Sequence, residues 1–339
     1  MKSSAPKSSV SAPKAPAARS VTPNPSAAQS SAPSPSAAQS PHNLSRTQFA
    51  VLQLLARHPN DSFSQRQIAQ ALKVSVGTVN RSFSELYGRG FLERGDISSA
   101  GLEALEPYRV KRAIFLAAGF GSRMVPLTLN TPKPLMRVKG TRIIDTLLDA
   151  VIAAGIEEIY IVRGYLAEQF DALLLKYPQV RFIENPLYNE SNNISSLYFA
   201  RDYLRSTYVF EADLLLYNPE LVTLYQYESN YLGVPVATTD DCCFFTTGHY
   251  IDRYAVGGTN CYHMFGISYW TEADGQRLAA LAKYVMEEVP GGKERMWDQV
   301  SVNEADGAYR VAIRPCTFDD ITELDTYREL CELDPAYCI

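Results

Sequence analysis

The chain has 339 residues, 46% of them hydrophobic, and its 32 basic and 37 acidic side chains give a formal net charge of -5. That length suits two or three domains with cores of their own. The acidic balance excludes a protein that coats nucleic acid over its whole surface, and no apolar run approaches the ~18 residues that a membrane-spanning helix needs.

Residues 1–41 are mostly Ser, Ala, Pro and Gln, with a few basic residues and no acidic one. Such a segment cannot offset the entropy of ordering, so it is expected to be a disordered tail. It lacks the compact apolar stretch of a secretory signal. Six cysteines occur without a C-x-x-C spacing, and Cys242 and Cys243 are adjacent. This suits neither a zinc knuckle nor a disulfide framework and predicts reduced thiols in a cytoplasmic protein.

Residues 42–108 read as a small helical domain. Phe49, Leu52 and Leu55 recur at helical spacing behind Ser45, a good N-cap. Ser64 caps a short helix carrying Ile68, Ala69 and Leu72. Lys73-Val74-Ser75 makes a tight turn. A further helix from about Val76 to Tyr87 carries Val79, Phe83 and Leu86, and "FLERGDI" reads as a β-wing. Helix, turn, helix and wing resemble the MarR-type winged helix-turn-helix family. The resemblance implies duplex DNA as a partner, met by Ser75, Thr78, Asn80, Arg81 and Ser84. Between residues 46 and 96, seven basic side chains face four acidic ones, against the sign of the whole chain. Winged helices also serve as docking modules, so the motif fixes a fold better than a function.

Residues 109–339 alternate strand and helix. "RAIFLAAG", "EEIYIVRGY", "VRFIEN" and "TYVFEADLLL" predict buried strands; "IIDTLLDAVIAAG", "AEQFDALLLKY" and "SSLYFARDYL" predict helices between them. The expected fold is α/β, Rossmann-like, with a mainly parallel mixed sheet.

The loop after the first strand, "LAAGFGSRMVPLTLNTPKPL", carries the chemistry. Backbone N–H groups of a glycine-rich loop can point at phosphate. The G-K-[ST] of a P-loop is absent, and Met124 stands where the dinucleotide fingerprint needs a third glycine. The stretch resembles instead the sugar-nucleotide and cytidylyltransferase signature, L-x-A-G-x-G-x-R, P-L-T, P-K-P-L. The resemblance runs to the C-terminus and is similar to the phosphocholine cytidylyltransferase branch of the nucleotidyltransferase family.

The resemblance implies roles. Leu116, Ala117, Ala118, Gly119 and Gly121 would lie against the nucleotide. Arg123 and Lys133 would bring positive charge to the phosphates, the prolines fixing their loop. Asn192, Asn193 and Ser195 would read the pyrimidine, although an Asn-rich turn capping a helix explains any one of them equally well. Asp213 and Asp325 would hold Mg2+, which prefers one or two carboxylates with phosphate oxygens and water; an N-cap role competes at Asp325. Tyr262, Trp297, Asp298 and Glu323 have the chemistry for a small cationic head group; the competing role for Trp297 is core packing.

The branch resemblance points to phosphocholine as acceptor. Cys242 and Cys243 follow Asp240 and Asp241 where the branch is expected to have a Trp, which thins the aromatic cage and leaves room for 2-aminoethylphosphonate. A sugar 1-phosphate fits less well, because the insert is short. The expected reaction is transfer of CMP from CTP to a small phosphoamine or phosphonoamine, with a second copy of the chain as a further candidate partner. The rivals are a transcription regulator with a transferase-derived sensing domain and a dinucleotide-dependent oxidoreductase. Arg123, Lys133, Asp213 and Asp325 together favour catalysis over sensing.

Overall fold

The structure is a computed structural model that describes Leu44 to Cys338, apart from Asn60. The tail read over residues 1–41 lies outside the described residues. The described residues form one compact unit.

The winged helix comprises α1 (Arg46–Arg57), α2 (Gln65–Ala71), α3 (Val76–Gly88), the wing strands β1 (Leu92–Glu93) and β2 (Asp96–Ile97), and α4 (Ser99–Leu105). Ser45 and Ser64 each close a capping box with a Gln three residues on, and Ser75 caps α3. These side chains satisfy N–H groups that the first turn leaves unpaired. Val51, Leu52, Ile68, Val79 and Leu86 form the core. That core also takes Tyr108 and, from far along the chain, Tyr225, so the winged helix is packed onto the α/β layers.

The α/β part starts with β3 (Arg112–Leu116), a short hairpin of β4 (Arg137–Val138) and β5 (Thr141–Arg142), then α5 (Ile143–Ala153), β6 (Glu158–Arg163), β7 (Val180–Glu184), α6 (Ile194–Ala200), β8 (Thr207–Glu211) and β9 (Leu214–Leu216). A long hairpin of β10 (Asn230–Thr247) and β11 (Tyr250–Trp270) follows, then α7 (Glu272–Glu288), α8 (Trp297–Asn303), β12 (Ala312–Pro315), β13 (Ile321–Glu323) and α9 (Tyr327–Leu333). The main sheet runs in the order β10-β12-β11-β8-β3-β6-β7. Its β8, β3, β6 and β7 are parallel, while β11 joins antiparallel to β8. Alternate residues of β3 go to opposite faces: Ala113 and Phe115 pack with α5, Ile114 with α6, α7 and α8. Both faces are covered, as parallel strands require.

Two segments differ from their patterns. "AEQFDALLL" is a 3-10 helix rather than an α-helix; its buried residues, Phe170 and Leu173, are three apart, the period of that helix. "TYVFEADLLL" is two strands. The sheet ends at Glu211, Asp213 turns toward Lys133, and β9 leaves to pair with β13. Among the described residues, no helix is long and apolar enough to cross a membrane.

Candidate active site

The C-terminal ends of the parallel strands open into a cavity of about 580 Å3. At this end of a parallel sheet the loops are free to converge. The loop after β3 is held open by its neighbours: the Ala117 N–H donates to Val162 O at 2.8 Å, and the Tyr165 N–H to Ala118 O at 3.1 Å. Gly121 has φ +61°, and a Cβ there would sit 3.0 Å from Thr128 and 3.1 Å from Lys133. Glycine therefore lets the loop pass close over the lysine. Leu116, Ala117, Ala118, Gly119 and Gly121 all line the cavity.

Its charged floor is built from three elements. Lys133 donates from Nζ to Asp213 Oδ2 at 2.7 Å and to Asp325 Oδ1 at 3.2 Å; Arg123 donates to the same Asp325 oxygen at 2.7 Å. The two aspartates meet because β13 pairs with β9, and the Leu324 N–H donates to Asp213 O at 3.2 Å. The N-cap of α9 is Thr326, which leaves the Asp325 carboxylate free to face the cations. Burial alone would lower the Lys133 ammonium, but Asp213, Asp325 and Glu323 hold it above its ordinary value.

The acidic cluster differs from the expected pair: it contains Asp213 together with Glu211 and Glu323, and not Asp325. Carboxylate oxygens of Glu211, Asp213 and Glu323 lie within 4.8 Å of one another, and the buried Asp213 Oδ1 has no hydrogen-bond partner. An orphaned carboxylate oxygen among further hard oxygen donors fits a magnesium ion. Glu211, the last residue of β8, owes its position to Gly266: a Cβ there would come within 2.3 Å of its carboxylate. Burial, then the charges of Asp298, Asp213 and Glu323, push Glu211 well above the usual carboxylate range.

The polar segment after β7 also lines the cavity. The Asn192 N–H donates to Lys293 O at 2.7 Å, and Ser195 Oγ donates to Asn192 O at 2.8 Å. Asn193 Oδ1 accepts from the Trp297 N–H at 2.9 Å, while its Nδ2 faces Glu211 at 3.4 Å. Asn185, which follows β7, braces Ser195 and Ser196 with its Nδ2. Asn192, Asn193 and Ser195 all line the cavity.

The expected aromatic cage is not assembled. Trp297 is fully buried, stacks on Tyr231 at 5.7 Å and does not line the cavity. Tyr262 faces the core beside β10 and is likewise outside it. Asp298 is also fully buried and lies outside the lining; its Oδ1 accepts from Tyr231 Oη at 3.0 Å, and burial raises its carboxyl above the usual range. Of the four residues expected to meet the acceptor, only Glu323 reaches the cavity. Glu211, Asp241, Cys242, Met264 and Met296, none of them expected from the sequence to meet the acceptor, also line the cavity. Cys242 Sγ lies 2.9 Å from Tyr254 Oη, and burial pushes the thiol up to about 12, so it is neutral. Glu211 was visible in the sequence as the start of "EAD", but the sulfur wall depends on the β10–β11 register, which has no local signature.

Known proteins resemble this one along the same lines. Residues 112–230 match the nucleotidyl transferase family and residues 42–100 the MarR family. The chain is 40% identical over 229 residues to the 2-aminoethylphosphonate cytidylyltransferase of Lancefieldella rimae, covering 66% of this chain and 92% of that one. It is 31% identical over 215 residues to the choline-phosphate cytidylyltransferase of Haemophilus influenzae, covering 63% and 91%. Among solved structures, the CTP:phosphocholine cytidylyltransferase of Streptococcus pneumoniae superposes with a TM-score of 0.62 at 28% identity, over 67% of this chain and 99% of that one.

Proposed function

The chain belongs to the nucleotidyltransferase family, and from that premise we propose that it transfers CMP from CTP to 2-aminoethylphosphonate, releasing pyrophosphate. The observation that carries the choice of acceptor is the cavity wall: carboxylates of Glu211, Glu323 and Asp241 line it, while Trp297 and Tyr262 do not. A primary ammonium has three N–H donors and is held by carboxylates at hydrogen-bond distance. A quaternary ammonium has none and is held by aromatic faces. The likeness to the Lancefieldella rimae enzyme supports the same reading. Phosphocholine, expected from the branch resemblance, loses its main aromatic anchor when the Trp297 ring is buried.

The chemistry follows from charge and position. A phosphonate oxygen, anionic at neutral pH, attacks the α-phosphorus in line, and pyrophosphate departs. No general base is needed, so none of the histidines is assigned one. Arg123 and Lys133 orient the phosphates and offset their developing charge. Asp213 and Asp325, with Glu323 beside them, would hold Mg2+, which when bound supplies further neutralisation of the triphosphate. Pyrophosphate release with CTP and each acceptor in turn tests the proposal. A higher specificity constant for 2-aminoethylphosphonate is expected; a higher one for phosphocholine overturns the choice of acceptor.

The winged helix supports a second role, binding duplex DNA through α3. Ser75, Thr78, Asn80, Arg81 and Ser84 are all exposed, while α1 is the helix spent on the α/β layers. Salt-dependent anisotropy shifts on duplex fragments are expected. No shift at low salt assigns the module to docking.

A further inference from the structure

Three aromatic rings at the mouth of the cavity have no part in the chemistry above. Phe120, Tyr165 and Tyr188 come from the loops that follow β3, β6 and β7, three neighbouring strands of the sheet. The Phe120 ring lies 5.0 Å from Tyr165 and 5.4 Å from Tyr188, centroid to centroid, tilted against both. Their placement is built in. Tyr165 Oη donates to Thr128 O at 2.9 Å, and Thr128 Oγ1 donates to Gly121 O at 3.0 Å, which ties the brace to the glycine loop. At Gly164 a Cβ would sit 2.6 Å from Tyr188, so only glycine lets that ring lie where it does. Yet Phe120 remains 44% exposed, and both Phe120 and Tyr188 line the cavity.

A braced ring left open toward a polar cavity calls for a flat ligand to cover it. The phosphate end of the cavity is marked by Arg123, Lys133 and Asp213, and the acceptor end by Glu211, Cys242 and Met264. Phe120 and Tyr188 line the cavity from the loops after β3 and β7, and β7 is the strand at the far edge of the sheet from β8, which leads into Glu211 and Asp213. Of the two substrates, the nucleobase is the part with a π-face. We propose that Phe120, braced by Tyr165 and Tyr188, stacks on the base of the bound nucleotide. This rests on the reading of CTP as donor. A stack holds any base, because every base has a π-face; it therefore supplies affinity and leaves discrimination to the polar side chains.

The test is Phe120→Ala, with Phe120→Tyr as the conservative variant. Calorimetric titration of the wild type with CTP comes first: no binding there overturns the donor reading and the stack together. With binding established, Phe120→Ala should raise the KM for CTP about tenfold, the scale of one base–aromatic stack. The KM for the acceptor and the melting temperature should stay close to wild type, and Phe120→Tyr should restore CTP affinity. Binding of ATP, GTP and UTP, where measurable, should weaken by the same factor. An unchanged KM for CTP overturns the stack alone. Equal losses for both substrates with a lowered melting temperature also overturn it, because the ring then only holds the loops.

Discussion

Lys133 and Asp213 form an ion pair at 2.7 Å in which the lysine is almost wholly buried. The same ammonium reaches Asp325, so one cation neutralises two carboxylates from distant parts of the chain. Those carboxylates are also the groups proposed to hold Mg2+, and the lysine is proposed to meet phosphate. In the free protein the ammonium therefore keeps the acidic cluster compatible with burial.

Substitutions on the two sides of this pair should act oppositely on metal binding. Lys133→Met removes the cation that competes for Asp213, so Mg2+ should bind the nucleotide-free protein more tightly. Turnover should fall at least ~100-fold, the scale of losing one preorganised charge at the reacting phosphate. Asp213→Asn should weaken Mg2+ binding and remove most turnover while the fold survives. Titration calorimetry and pyrophosphate release check both. Near-wild-type turnover by Asp213→Asn at saturating magnesium would remove it from the metal site.

Trp297→Ala should act on stability. The side chain is fully buried against Tyr231, so its loss should cost about 3–5 kcal/mol. Specificity constants for phosphocholine and 2-aminoethylphosphonate should fall by the same factor, if at all. A selective loss for phosphocholine would restore the aromatic cage.

The difference between Lys133 and Trp297 shows what was legible. The glycine loop, Arg123, Lys133 and the strand that runs into the Asp213 turn sit in one local pattern each, strand then turn then charge, and the sequence carries that order directly. The winged helix was equally local over its first three helices, which start at Ser45, Ser64 and Ser75; the fourth, capped by Ser98, was not read from the sequence. Trp297 begins a seven-residue helix, too short for periodicity to say which face is inward. Cys242 and Met264 reach the cavity through a hairpin of 18- and 21-residue strands whose register shifts between Thr239 and Thr246. A shift of one residue reverses which side chains face the site, and alternation alone does not encode it.

The buried carboxyls give a pH signature. Burial raises both Glu211 and Asp298 above their ordinary values. A carboxyl raised in the folded state contributes stability that is fully present below the usual carboxylate range and is lost as pH rises through the folded value. In Asp298→Asn the side-chain amide oxygen could still accept from Tyr231, but the group would not ionise. The melting temperature of Asp298→Asn minus that of wild type should therefore increase from about pH 5 to about pH 8. A difference that stays flat would mean that Asp298 does not titrate in this window.

The last prediction concerns the junction between the winged helix and the α/β layers. Besides the Gln53 and Arg57 hydrogen bonds from α1, two kinds of contact meet there. Arg46 pairs with Glu228 and donates to Tyr250 at 2.8 Å, but its side chain is 46% exposed. Beside it, Tyr227 stacks on Tyr108 at 5.5 Å, meets Phe49 at 5.3 Å, and donates from Oη to Leu44 O at 3.0 Å. Exposed ion pairs contribute about 0–1 kcal/mol because water and salt screen them. Packed aromatic pairs add about 0.5–1.5 kcal/mol beyond the apolar area they bury. The rings should therefore outweigh the charges. Tyr227→Ala should speed proteolytic cleavage between Leu105 and Arg112 several-fold more than Arg46→Ala does, and high salt should change the Arg46 contribution while leaving the Tyr227 contribution nearly constant. Equal effects of the two substitutions at low salt would mean that the ion pair, and not the aromatic stack, fixes the winged helix to the enzyme.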